Sequence, residues 1–339
     1  MLRYQPKRVF IEPDALEYPL GIKLQALFTD ADIPIETTTA HNRVTGIPGK
    51  SDKEKYIQAK RSLVIGVRRS LTFQSCKPSA HYQLPLVTSC PGLCEYCYLQ
   101  TTLGPKPAVR IYVNTDQILA KASEYMCAKE PDITIFEGAA TSDPIPVEYL
   151  TGALKQAIEF FGQTPLGRFR FVTKFADVDS LLTAAHQEHT EIRFSLNTDT
   201  VIDTYEKGTS SAKARLEAAE KVAKAGYPIG FLLAPILIYE NWQVEYTQLI
   251  TALARRLPKD IHVGFELITH RYTTRAKNNI LKVFPDTTLP MDESERQFKY
   301  GQFGYGKYVY PKETMAAIKE FFHQELNTHF PYASIAYLV

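Results

Sequence analysis

The sequence predicts an α/β protein built on a parallel sheet, and three observations carry that reading. Six short apolar runs of strand character alternate with segments of helical period between residues 84 and 268. A helix between successive strands requires crossover connections, hence parallel pairing of right-handed sense. Three of the five cysteines, Cys90, Cys94 and Cys97, lie directly after the first run, where the reacting groups of such a sheet collect, at the C-terminal strand ends. Six units are too few for a closed eight-fold barrel.

Residues 1–80 read as an N-terminal α/β region covering one side of the sheet. Arg8-Val9-Phe10-Ile11-Glu12 and residues 33–39 are strand-like, with a helix around Leu20–Phe28 and a third strand centred on Ser62–Val67. Leu84–Thr88 is the apolar run that enters the cysteine loop. Ile118, Ala122, Tyr125 and Met126 mark a helix face, with Asn114 or Thr115 as its cap. Strands follow at 133–136, 168–172, 192–196, 229–233 and 263–268. The intervening helices are one carrying Val147, Leu150, Leu154, Ile158 and Phe161 and closed by Gly162, one at 178–185, one at 211–225 stopped by Gly226, and one at 242–253. Residues 81–270 therefore form the main domain. Residues 271–339 add a hairpin, with Phe298-Lys299-Tyr300 and Lys307-Tyr308-Val309-Tyr310 around a glycine-rich turn, and a packing helix marked by Met315, Ile318, Phe322 and Leu326.

Composition sets the class. At 339 residues, 45% hydrophobic and 22% charged, the chain can bury a sizeable core. Its apolar runs stay well below the ~18 residues that a bilayer span needs, and Met1–Pro6 lacks the apolar centre of a signal peptide. A cytoplasmic location without membrane contact is expected. The net charge is +2, yet Arg255 through Lys312 holds 11 basic and 6 acidic residues, +5, against −3 for the remainder. Such a bias points to a polyanionic partner.

Ser89-Cys90-Pro91-Gly92-Leu93-Cys94-Glu95-Tyr96-Cys97-Tyr98 carries the chemistry. Pro91 and Gly92 hold it in a loop, so the thiols can surround one centre. Three thiolates without a fourth suit a soft metal or an iron–sulfur cluster with one open coordination position, whereas structural zinc takes four ligands. The C-x3-C-x2-C spacing resembles the signature of radical S-adenosylmethionine (SAM) enzymes. That resemblance implies a partial (β/α)6 barrel, a [4Fe–4S] cluster on Cys90, Cys94 and Cys97, and SAM at the open iron. Polar groups at the strand ends would form the SAM rim: Ser142 within Thr141-Ser142-Asp143, Lys174, Ser195 and Ala234, with Tyr98 beside the cluster.

Residues Ser89–Tyr98, Phe136-Glu137-Gly138-Ala139-Ala140-Thr141-Ser142-Asp143-Pro144 and Gly301–Tyr308 together resemble the spore photoproduct lyase family over essentially the whole chain. The resemblance implies a DNA-repair lyase of the spore core. A 5′-deoxyadenosyl radical takes hydrogen from C6 of the thymine dimer called spore photoproduct, the methylene bridge breaks, and a cysteine returns a hydrogen atom. Tyr96 and Tyr98 would relay the radical back to SAM. Where the family has its donor cysteine this chain has Ala140, so the last step is expected to be impaired, as in an engineered variant. Cys76 and Cys127 read as packing residues, and His186 and His189 as solvated. Phe303, Tyr305 and Lys307 on the hairpin would meet damaged DNA, supported by Arg271, Tyr272 and Arg275. A reductant such as flavodoxin or ferredoxin is implied. Two other readings stay open: a radical SAM enzyme acting on another nucleic acid, and a non-catalytic zinc-bearing nucleic-acid-binding module.

Overall fold

The computed structural model describes residues 3–38, 44–300, 304 and 306–339. Its largest sheet runs Ser334–Leu338, Gly264–Thr269, Ile229–Ile236, Thr190–Leu196, Gly167–Thr173, Thr134–Glu137, Ala80–Gln83 and Ser75–Cys76 in spatial order. Every neighbouring pair is parallel except the last, which is an antiparallel ribbon. Strand alternation assigns the two faces. Phe169, Phe171, Phe194, Phe231 and Phe265 are wholly buried, and Phe161 of the helix Ala153–Gly162 stacks on Phe169 at 5.4 Å between ring centres.

The other face is charged, and its ion pairs show that the sheet is curled. Glu137 and Glu266 lie on strands four positions apart, about 19 Å on a flat sheet at ~4.8 Å per strand. Both nevertheless contact the guanidinium of Arg193, Glu266 at 2.7 Å, and Arg170 joins Glu266 at 2.5 Å. Only a half-barrel brings these carboxylates around one cation.

A second sheet has the order Ile35–Thr37, Arg8–Ile11, Ser62–Gly66, Val109–Tyr112, Val87–Thr88, with only the last pair antiparallel. It draws strands from both sides of residue 80, while Ser75–Cys76 joins the half-barrel and Ser334–Leu338 returns to it from the C-terminal segment. The sheets thus exchange strands across the boundaries that sequence pattern suggested.

Several expectations need correction. Ala80–Gln83, not Leu84–Thr88, is the first half-barrel strand, with Tyr82 opposite Phe136. Pro85 has no N–H to continue the ladder, so only Val87–Thr88 is extended, and in the other sheet. The helix expected at 178–185 shrinks to the turn Asp179–Leu181, because Gln187 and Glu188 both take positive φ and turn the chain directly into the next strand. The helix expected through Val147 and Phe161 is two helices, Ile145–Thr151 and Ala153–Gly162, split by Gly152 at φ 64°. The buried Glu148 carboxylate caps the second one, accepting from the N–H groups of Leu154 at 2.8 Å and Lys155 at 3.0 Å. Gly162 is not a left-handed cap. A Cβ there would fall 2.1 Å from the Ala185 carbonyl oxygen, so close backbone approach explains it.

The final helix, Lys312–His329, buries Ile318, Phe322 and Leu326 as its spacing predicts. No helix of the described residues is long and apolar enough to cross a membrane.

Gly152 generates a direct test, since a Cβ there meets nothing within 4 Å and only its left-handed backbone opposes a side chain. Gly152→Ala is expected to cost about 1 kcal/mol in denaturant titration, and Gly152→Asn less, because Asn tolerates this region better.

Candidate active site at the mouth of the half-barrel

The cysteine loop lies across the C-terminal ends of the strands and is stitched to two of them. Ser89 N–H donates to the Thr141 carbonyl at 2.9 Å, and Ser89 bridges to Ser142 beyond the Thr134–Glu137 strand. Leu93–Cys94 pairs antiparallel with Glu206–Lys207, which follows the Thr190–Leu196 strand, with Cys94 opposite Glu206. Ser89 takes φ 65°, and its hydroxyl donates to the Pro107 carbonyl at 2.8 Å.

Gly92 sits amid the sulfurs. A Cβ there would stand 3.7 Å from Cys90 Sγ and 3.8 Å from Cys94 Sγ. Burial pushes both thiols up. Lys60 counters this at Cys90, and Lys174 at Cys94. Lys60 Nζ donates to the Cys90 carbonyl at 2.9 Å and contacts Ser89 Oγ at 3.3 Å, although it comes from the distant helix Asp52–Lys60.

Behind the loop stands a buried charge cluster. Lys174 Nζ lies 2.7 Å from Glu206 Oε1, donates to Tyr96 Oη at 2.8 Å and reaches the Ala234 carbonyl at 3.4 Å. The other Glu206 oxygen receives Arg215 at 2.5 Å, and neither side chain of that pair is exposed at all. Arg215 also donates to the Ser195 carbonyl at 2.8 Å and the Ser210 carbonyl at 2.9 Å. Burial alone would raise the Glu206 carboxyl, but Lys174 and Arg215 overcome it and hold the group down at about 2. Asp143 accepts from Thr173 Oγ1 at 2.8 Å and from Lys174 N at 2.8 Å; burial pushes it up to about 6 against these bonds.

The structure thus brings Lys174, Ala234, Ser195 and Tyr96 into one network and sets Ser142 beside Ser89. Ser142 donates to the Gly138 carbonyl at 3.4 Å and caps no helix. Tyr98 is 60% exposed, and its hydroxyl donates to the Ala140 carbonyl. There, loss of water and the nearby Cys97, Cys76, Glu137 and Cys90 all oppose its ionisation.

Cys76 departs from its expected packing role. It lies on the antiparallel ribbon at the sheet edge, half-buried, with Glu137, Arg193 and Arg170 acting on its thiol. Cys127 is exposed rather than packed.

The hairpin forms from Gln297–Tyr300 and Gly306–Val309. Phe303 and Tyr305 lie outside the described residues. Phe298 and Tyr300 are exposed, and Arg271 bears on the half-buried Lys307. Tyr272 is a correction. It is only 3% exposed, stacks on Tyr308 at 5.3 Å and shares two backbone hydrogen bonds with it, so it anchors the hairpin rather than offering a ring to a partner. Arg275 is exposed and donates to the Thr101 carbonyl at 3.4 Å.

Sequence reasoning missed Tyr56, Lys60, Glu206 and Arg215. Arg215 left a legible trace: it shares a helix face with Ala212, Leu216, Ala219 and Val222, and a lone cation on an apolar face needs a buried partner.

A parallel half-barrel with three clustered cysteines across its mouth defines a radical SAM enzyme. The sequence profile of the spore photoproduct lyase family matches residues 4–339. The chain is 53% identical to the spore photoproduct lyase of Clostridium acetobutylicum over 333 residues, and 50% identical to that of Bacillus subtilis over 336, covering 98% of both chains in each case. Spore photoproduct lyase complexed with dinucleoside spore photoproduct superposes with a TM-score of 0.95 at 48% identity over 100% of both chains. A mutant of that enzyme with bound AdoMet and dinucleoside spore photoproduct, in which one cysteine is alanine and one serine is cysteine, matches with TM-score 0.95, 49% identity and the same coverage. The chain belongs to the spore photoproduct lyase family.

Glu206→Gln is expected to destabilise the fold by about 3–5 kcal/mol, because two buried cations lose their counter-charge. The carboxyl sits below its ordinary 4.5 in the folded state, so its contribution is complete above that value and is lost as pH falls from 4.5 toward about 2. Acid titration of stability should therefore be shallower in this window for the variant than for the unsubstituted protein.

Proposed function

We propose that this chain splits spore photoproduct in UV-damaged DNA into two thymines, with Cys76 as the hydrogen-atom donor in place of a cysteine at position 140. The donor assignment rests on Tyr98, whose hydroxyl donates to the Ala140 carbonyl while the Cys76 thiol lies near enough to act on the same hydroxyl. The mutant relative with AdoMet and dinucleoside spore photoproduct pairs a lost cysteine with a gained one, and alanine with cysteine is the combination found here at 140 and 76.

The donor set suits a [4Fe–4S] cluster. Cys90, Cys94 and Cys97 would supply three thiolates, with Lys60 acting on Cys90 and Lys174 on Cys94. The cluster and SAM together supply the 5′-deoxyadenosyl radical that starts the reaction. Ser142, Ser195, Tyr98 and the Ala234 carbonyl are the polar groups for SAM, with Lys174 holding Tyr96 and Glu206 in place behind them.

Cys76 is equipped to give a hydrogen atom rather than a proton. Burial and Glu137 push its thiol up to about 11 against Arg193 and Arg170, so the S–H bond persists at neutral pH. Transfer of that hydrogen atom to the thymine radical makes the C–H bond of thymine and leaves a thiyl radical on Cys76. The thiyl takes the hydrogen atom of the Tyr98 hydroxyl, which restores the thiol. The tyrosyl radical would in turn take one from the methyl group of 5′-deoxyadenosine; the resulting radical carbon would bond to the methionine sulfur and one electron would return to the cluster, re-forming SAM with Tyr96 adjacent. The expected impairment at Ala140 thus gives way to a relocated donor.

On this reading the hairpin, with Phe303, Tyr305 and Lys307, and the neighbouring Arg271 and Arg275 meet the damaged DNA. The electron comes from a flavodoxin or ferredoxin, and the enzyme works in the cytoplasm of the spore core. The positive balance over Arg255 through Lys312 supports the DNA face.

The test is anaerobic turnover of dinucleotide spore photoproduct with SAM and dithionite. Cys76→Ala should still cleave SAM and break the methylene bridge, but yield a thymine sulfinate adduct and consume excess SAM. Adding Ala140→Cys to that variant should restore clean thymine, and Cys127→Ala should change nothing. Clean thymine from Cys76→Ala would remove Cys76 from the mechanism. In parallel, alanine at any one of Cys90, Cys94 or Cys97 should abolish SAM cleavage and most iron uptake; full cleavage by such a variant would exclude the cluster assignment.

A further inference from the structure

The helix Asp52–Lys60 presents two side chains to the cysteine loop from a part of the chain that carries no recognisable motif. Tyr56 and Lys60 are one turn apart, on the same helix face. Tyr56 is 1% exposed, with Phe284 edge-on at 5.7 Å and Val283 and Leu93 packed around it. Its ring is thus fully accounted for by apolar neighbours. Its hydroxyl is not: it is buried without a hydrogen-bond partner. A donor left so costs about 1–3 kcal/mol, and buried tyrosine hydroxyls ordinarily find an acceptor.

The surroundings say where that acceptor belongs. The groups whose charge acts on the Tyr56 hydroxyl are Cys97, Cys90 and Cys94, all three thiols of the loop. The Gln100 side chain is the one other group within hydrogen-bonding influence of this hydroxyl, but no bond of proper length and angle joins them, and the Gln100 Oε1 atom is likewise buried without a partner; Gln100 is therefore the competing acceptor that the test must separate. Lys60 stands 5.4 Å from the Tyr56 ring centre, and its ammonium is fixed by the Cys90 carbonyl and Ser89 Oγ. A phenol donor near all three sulfurs and a cation held at Cys90 therefore approach the loop from one helix.

We infer that Tyr56 donates a hydrogen bond to a sulfur of the iron–sulfur cluster, and that with Lys60 it sets the cluster's reduction potential. The inference rests on the cluster reading above. Reduction adds an electron to a centre already bearing thiolate charge. Hydrogen bonds to its sulfurs and nearby positive charge favour the reduced form, so they raise the potential. Tyr56 is here a positioning and tuning residue, with no contact to the lesion.

The test is an EPR-monitored redox titration of the reconstituted full chain without SAM, comparing the unsubstituted protein with Tyr56→Phe and Gln100→Ala. Tyr56→Phe is expected to load four irons and show a midpoint shifted to more negative potential, with Gln100→Ala unshifted. Thermal melting of the cluster-free Tyr56→Phe protein should be unchanged or higher, since the substitution removes an unpartnered hydroxyl. Equal midpoints for Tyr56→Phe and the unsubstituted protein, both fully loaded, would overturn the inference alone, and so would a shift caused by Gln100→Ala instead. Failure of the unsubstituted chain to take up iron would overturn the cluster reading and this inference with it.

Discussion

The carboxylate of Glu206, held between Lys174 and Arg215 with no exposure to solvent, is the interaction on which the site depends. It links three elements that are far apart in sequence. Glu206 pairs with the cysteine loop through the backbone at Cys94, Lys174 ends the third half-barrel strand, and Arg215 rises from the helix Ala212–Lys224. A buried ion cluster is costly unless each charge is answered and the spare donors are satisfied. Here Tyr96, the carbonyls of Ser195, Ser210 and Ala234, and Thr209 complete that satisfaction. The result is a rigid floor under the thiols.

The same device recurs deeper in the half-barrel, where Arg193 and Arg170 gather Glu137 and Glu266. Glu137 also receives the Ser79 hydroxyl at 3.2 Å and the Ala139 N–H at 3.2 Å. One side chain therefore ties the ribbon that bears Cys76 to the loop that bears Ala140. The two positions are held against each other by charge and hydrogen bonding rather than by chain proximity. The lumen tolerates buried charge, since closing the sheet on itself brings each carboxylate within reach of a guanidinium.

The sequence by itself determined the class of chemistry and most of the sheet. C-x3-C-x2-C is a local arrangement, so the loop could be read without knowing what lay beneath it. The strands at 167–173, 190–196 and 229–236 announce themselves by alternation or apolar continuity, and the hairpin by its glycine-rich turn. Helix faces such as that of Ile318, Phe322 and Leu326 follow from a 3.6-residue period that needs no partner to be recognised.

Only the tertiary structure decided which sheet each short strand joins, because pairing is a relation between segments. Ala80–Gln83 and Val87–Thr88 look alike in sequence yet enter different sheets on either side of Pro85. Burial was equally non-local: Tyr272 sits in a basic stretch but is sealed under the hairpin by Tyr308, and Cys127 is exposed on a helix whose pattern allowed packing. Cys76 reads in sequence as a packing residue, away from the C-terminal end of any strand, whereas the fold sets it half-buried on the edge ribbon Ser75–Cys76. Pairing of that ribbon at the sheet edge sets Glu137, Arg193 and Arg170 around the thiol, neighbours fixed by distance through space, which sequence does not encode locally.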